Sequence, residues 1–140
     1  MTLFSYTIPV DDGAAPNPFG GICTLTICKP AIRRKAAVGD WIVGLGSRRG
    51  PRDYSGKVNH AMKVTEVLTM AEYDDRCRNR LPVKIPDWES ARFEKRVGDC
   101  LYDSSGSGDP LLRRGIHHNG NSKTYLIGNN ALLSTHFFYF

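Results

Sequence analysis

Val38-Gly39-Asp40-Trp41-Ile42-Val43-Gly44-Leu45-Gly46-Ser47 reads as a tight turn at Gly39-Asp40 that leads into an alternating strand. Trp41, Val43 and Leu45 fall on one face of that strand, and Ile42, Gly44 and Gly46 on the other. Two glycines leave the backbone bare on their face, so something flat can lie against it. The strand runs out into Ser47, Arg48 and Arg49, which together predict a binding cleft with a cationic lip. Ala61 to Leu68 alternates again, with Met62, Val64, Glu66 and Leu68 set against Ala61, Lys63, Thr65 and Val67. This segment is read as one strand, the partner of the first.

Working outward, Leu3 to Val10 is a strand with Phe4, Tyr6 and Ile8 on a shared face, expected to be central in its sheet. Asp11-Asp12-Gly13 ends it, and the Pro/Gly-rich loop Ala14 to Gly21 displays Phe19 between Pro18 and two glycines. Ile22 to Ile27 is a short apolar stretch. Pro30 suits the first turn of a helix through Ala37, with Gly39 as its C-terminal cap. Arg48 to Asn59 is polar and reads as a mobile connection, a candidate lid. Ala71 to Arg80 predicts a helix with Tyr73 and Cys77 one turn apart, and Trp88 to Lys95 a second short one. Gly98-Asp99-Cys100-Leu101-Tyr102 repeats the Gly-Asp-strand pattern, and Asn119-Gly120 is a possible hairpin turn. Thr124 to Ile127 and Ala131 to Phe140 are read as closing strands, the terminal aromatic run as packing.

At 140 residues the chain is expected to form a single domain over 1–140. No apolar run reaches the length of a bilayer span and the first residues lack signal-peptide character, so a cytoplasmic protein without membrane contact is expected. Cys23, Cys28, Cys77 and Cys100 form no CxxC pair and stand at no ligand spacing from the histidines, which argues against a structural metal. The formal net charge is +5, carried by twelve arginines and seven lysines. That bias favours planar contacts with phosphate or carboxylate. Arg33, Arg34 and Lys35 form one group, Arg48, Arg49 and Arg52 a second, Arg113 and Arg114 a third. If the fold brings them together they make a phosphate-attracting rim; otherwise they are a solvated basic face.

Lys29-Pro30-Ala31-Ile32-Arg33-Arg34, the Val38 to Ser47 segment and Ala61 to Val67 follow one another in an order that resembles the EVE branch of the PUA-like superfamily. With Ala15 to Gly21 near the start and Leu132 to Phe140 at the end, the chain more closely resembles nucleotide-modification-associated domains of phage and bacterial genomes. That resemblance implies an α+β fold, a curved mixed sheet or pseudo-barrel with short flanking helices. It also implies a pocket that admits one base, often a modified one, with basic residues on the backbone. The implied partner is nucleic acid, DNA before RNA, or a modified nucleotide, and no cofactor. The tryptophan pair that cages a methylated base in YTH domains has no clear counterpart here, nor does the Lys-centred pattern of ASCH-like hydrolases.

A flipped base needs a stacking surface and edge contacts. Phe19, Trp41 and Tyr54 are candidates for the first, Asn17, Ser47 and His60 for the second, in a pocket expected near the Asn17-Phe19 loop and the Ser47 strand end. Arg33, Arg34, Arg48, Arg49 and Arg52 are the candidates for phosphate. Each has a plainer alternative: Trp41 and His60 as core, Tyr54 and Asn17 as loop and turn residues, Ser47 as a strand terminator. An enzyme acting on a modified nucleotide is the main competing reading, with His117, His118, His136, Asp99 and Asp103 as the acid–base candidates. A protein–protein adaptor in a modification or defence system is a third, and it would need a broad exposed apolar patch.

Overall fold

The computed structural model describes residues 1–48, 53–116 and 126–140. The fold is α+β, with a four-stranded mixed sheet, a three-stranded antiparallel sheet and a two-stranded ribbon. Among the described residues the sheets do not close into a barrel.

In the first sheet, β1 (Leu3–Ile8) pairs in parallel with β3 (Trp41–Gly46), which pairs antiparallel with β4 (Val58–Lys63), which pairs antiparallel with β9 (His136–Tyr139). The expected face of Phe4, Tyr6 and Ile8 is the more buried side of β1, but this strand is an edge and not central. In the second sheet, β8 (Asn130–Ser134) lies between β2 (Cys23–Leu25) and β5 (Glu66–Thr69). β8 is buried on both sides: Leu132 packs with Cys23, Leu25, Ile42 and Met62 between the sheets, while Ala131 and Leu133 pack with Tyr73 and Cys77. A short strand buried on both faces reads as a continuous apolar run, as Ala131-Leu132-Leu133 does.

Two expected strands are each split between sheets. Ala61 to Leu68 is cut at Val64-Thr65 into the end of β4 and β5, and Ala131 to Phe140 is cut at Thr135 into β8 and β9. The two cuts lie side by side, so 58–69 and 130–139 form a bent antiparallel ribbon that is the shared corner of both sheets. Hydroxyls pin the bend. Thr65 Oγ1 donates to the Leu133 carbonyl at 3.3 Å and accepts from the Thr135 N–H at 3.1 Å, and Ser134 Oγ donates to the His136 carbonyl at 2.7 Å.

α1 (Pro30–Lys35) begins at its proline as predicted but stops before Ala37, and Gly39, at φ 97°, forms the following turn instead of capping it. Asp40 holds that turn, accepting from the Thr2 and Ala37 N–H groups at 2.7 and 2.9 Å. α2 (Met70–Arg80) matches expectation and starts on a Thr69/Glu72 capping box. α3 (Phe93–Arg96) is shorter than predicted, and Gly98–Tyr102 yields only the first residue of β6 (Tyr102–Asp103), paired with β7 (Leu111–Leu112). Asp99 and Cys100 leave the strand path because their groups serve the interior: Asp99 is fully buried, and Cys100 N–H donates to the Lys84 carbonyl at 2.8 Å. Leu126 and Ile127 are helical, not strand, while Thr124, Tyr125 and the Asn119-Gly120 pair lie outside the described residues. All four cysteines are free thiols. No described helix is long and apolar enough to cross a membrane.

A candidate base-binding cavity

The glycine-bared face of β3 does receive flat groups, but they come from the protein itself. A Cβ at Gly44 would overlap the His60 imidazole and stand 2.7 Å from Ile8 Cδ1, and one at Gly46 would stand 2.6 Å from Tyr54 Cβ. The chain from Tyr54 to Lys57 folds over Gly46, with Tyr54 N–H donating to the Ser47 carbonyl at 3.2 Å and Gly46 N–H to the Lys57 carbonyl at 2.9 Å. The described flanks of the expected lid are thus built onto the strand end, and Arg49 to Arg52 lie outside the described residues.

Beyond that fold-over, a cavity of about 680 Å³ opens at the carboxyl ends of the parallel strands β1 and β3. Its wall includes Ile8, Asp11, Ser47, Tyr54, Lys57, Asn59 and Phe140. The size falls within the range of small-ligand sites. One wall is ordered by a polar chain from three distant segments. Asp11 accepts from the Tyr139 hydroxyl at 2.6 Å and from Asn59 Nδ2 at 2.8 Å, and Asn59 Oδ1 lies 3.1 Å from His60 Nδ1. Asn59 is aimed this way because the β3–β4 register shifts between Gly44 and Leu45, a bulge that turns its side chain out of the ladder. Burial drives the pKa of His60 down to about 4, so its ring is neutral. With Nδ1–H donating to Asn59, Nε2 is left to accept from the Tyr6 hydroxyl, 3.5 Å away. Tyr139 is pushed up by burial and by the Asp11 carboxylate, so it stays a hydrogen-bond donor.

Of the residues proposed for a base, Ser47 and Tyr54 line this cavity and His60 lies behind its wall through Asn59. The others are elsewhere. Phe19 lines a second cavity of about 750 Å³ with Pro82, Val83, Pro86, Arg92 and Lys95, and its ring meets Phe93 edge-on at 6.1 Å. Asn17 is fully buried, donating to the Val97 carbonyl at 3.0 Å and accepting from Lys84 Nζ at 2.8 Å. The expected single pocket beside both Phe19 and Ser47 is therefore two separate cavities. Trp41 is at the opposite end of β3 from Ser47, on the outward face, beside His136 at 5.3 Å.

The phosphate candidates also divide. Arg33 is fully buried: its guanidinium donates to the Asn130 and Cys28 carbonyls at 2.8 and 3.3 Å, and Gly128 is pressed against it. That placement removes it from any phosphate contact. Arg34 is exposed and donates to the Ile127 carbonyl at 3.1 Å, and exposed Arg48 pairs with Asp53 at 3.2 Å. Arg49 and Arg52 lie outside the described residues. The third group does not join a rim, because Arg113 pairs with buried Asp74 at 2.7 Å and Arg114 with Glu89 at 3.0 Å.

Among the described residues the acid–base candidates are not assembled either. Asp99 is sealed in the interior, accepting from the Thr24 and Tyr73 hydroxyls, both at 2.6 Å. Its partner in charge is Lys84, also fully buried, whose ammonium donates to the Asn17 carbonyl and side chain and to the Ile22 carbonyl at 2.7 to 2.8 Å. Burial lowers the Lys84 pKa while the Asp99 charge opposes that shift. Three oxygens match its three N–H donors, so this lysine knits the Asn17 loop to the Lys84 turn as a charged group. His136 is exposed on β9, Asp103 is near Arg113 at 3.6 Å, and His117 and His118 lie outside the described residues. Among the described residues no group of His, Cys, Asp and Glu is arranged to hold a metal ion.

A family profile described as nucleotide modification associated domain 2 matches residues 1–140. The chain belongs to that family. No curated protein and no solved structure matches it. Membership in this domain family ties the chain to nucleotide modification systems. Asp11, Lys57, Asn59, Tyr139 and Phe140 were not singled out from sequence. Asp11 reads there only as the end of a strand, and the others gain a role only when the ribbon and the β1 end come together.

Proposed function

We propose that the protein receives one base of a nucleotide or nucleic-acid strand, a modified base by preference, in the cavity at the carboxyl ends of β1 and β3. The observation that carries the reading is the chemistry of its wall. Tyr54 and Phe140 offer rings for stacking, the Asp11 carboxylate offers an acceptor of the kind that reads an exocyclic amino group, and Ser47 and Asn59 add edge contacts. Lys57 in the wall and Arg48 beside Ser47 supply positive charge for phosphate. The ends of adjacent parallel strands are also a favoured ligand position in α/β sheets.

The test is equilibrium binding at two salt concentrations to a panel of nucleotides and oligonucleotides with plain or modified bases. Tighter binding to one modified base that persists at higher salt is the expected result. Weak binding to every ligand, erased by salt, would leave only a basic surface and overturn the reading.

A further inference from the structure

The outward face of the first sheet carries two rows without a carboxylate. One row is Leu3, Trp41, Lys63 and His136, the next Ser5, Val43, Ala61 and Phe138. α1 and α2 pack on the second sheet, and this face retains exposed apolar groups, with Leu3 66% and Phe138 51% exposed. His136 sits edge-on to Trp41 at 5.3 Å and to Phe138 at 5.8 Å, so none of these rings is stacked flat on another. The alternation along β9 continues from His136 and Phe138 to Phe140, which is 77% exposed and lines the cavity.

We propose that this face is a stacking track for single-stranded nucleic acid that leads along Trp41, His136 and Phe138 to Phe140 and the cavity. The proposal rests on the reading of the cavity as a base site and adds the class of polymer that feeds it. Successive outward residues on a strand are about 7 Å apart, a step that an extended single strand matches with one nucleotide. Aromatic faces accept any base, and Lys63 among the rings supplies a cation for the backbone. A duplex keeps its bases stacked inside and offers no ring to such a surface. Lys63 gives these carboxylate-free rows a positive charge that a polyanion complements and that a second copy of the same face would not.

Trp88→Phe leaves Trp41 as the sole tryptophan reporter. In that background an unmodified single-stranded oligothymidylate of about twelve nucleotides is expected to quench the Trp41 emission, and the duplex of equal length to leave it unchanged. Phe138→Ala should weaken the single strand roughly tenfold, while binding of mononucleotides from the panel above stays as in the parent. No quenching, or an undiminished affinity in Phe138→Ala, overturns the track whether or not mononucleotides bind. Sedimentation that shows self-association, lost in Phe138→Ala and unaffected by oligonucleotide, assigns the face to a second copy and equally overturns it. Failure of mononucleotides alone, with quenching intact, strikes the cavity reading and the track's end point, not the stacking face.

Discussion

Gly44 and His60 are cross-strand partners, and the imidazole of one fills the space that a side chain on the other would need. The bare strand therefore forms a seat for an internal ring, and that ring supports the polar chain behind the cavity wall. Gly44→Ala should cost about 1–3 kcal/mol through overpacking, read as a lowered urea midpoint. A midpoint equal to the parent's would show that His60 moves aside freely.

The neutral state of His60 gives the fold an acid sensitivity. Its folded pKa, about 4, lies below the value near 6.5 of an unfolded histidine, so the unfolded chain takes up the proton first. The stabilising contribution is complete above pH 6.5 and is lost as pH falls toward 4, on the order of 3 kcal/mol over that window. His60→Gln should flatten this part of the stability profile. An equally steep decline in the variant would transfer the effect to other groups.

Arg33 and Arg34 are neighbours in sequence, the first fully buried and the second exposed. Arg33→Met should lower stability by about 3 kcal/mol, since it strips charged donors from the Asn130 and Cys28 carbonyls. Arg34→Ala should leave stability near the parent value and reduce the salt slope of oligonucleotide binding by roughly one phosphate contact. Thermal melts and a salt titration on both variants separate the two roles, and a reversed pattern would contradict the placement of Arg33.

Lys84→Met is predicted to destabilise by about 3–5 kcal/mol, because it strips the ammonium donor from the Ile22 carbonyl, takes one of its donors from each Asn17 oxygen, and leaves Asp99 without its buried counter-charge. Denaturant titration checks this. A loss under about 1 kcal/mol would mean that water replaces the ammonium.

Tyr54→Ala should weaken nucleotide binding roughly tenfold, the loss of one stacked ring, with little effect on stability because Tyr54 is 46% exposed. Phe19→Ala should leave that binding unchanged, since Phe19 faces the other cavity. If the two variants exchange these effects, the base site belongs beside Phe19.

The fold class and the seat on β3 were legible because alternation and glycine placement are local signals. The strand switch at Thr65 was not, since Met62, Val64, Glu66 and Leu68 keep one parity straight through the bend while the partner strand changes. Arg33 and Arg34 differ only by the rotation of a short helix whose neighbours the sequence does not reveal. Ser47 and Tyr54 could be grouped from sequence, as the cavity lining groups them, because they adjoin the glycine strand. Asp11, Asn59 and Tyr139 meet across separations of up to 128 residues, beyond the reach of any spacing argument.

The bent ribbon also governs when the molecule can take shape. Among the described residues β2 and β5 have no strand partner but β8, and β4 has its second neighbour only in β9. Until residues 130–139 are available, one sheet lacks its centre and the other keeps an open, hydrogen-bond-hungry edge. Such long-range pairing slows folding and prolongs the exposure of strands prone to foreign pairing. A chain in which residues 130–139 are still unpaired would leave those strand edges open together, and both sheets would complete in one cooperative closure on the ribbon.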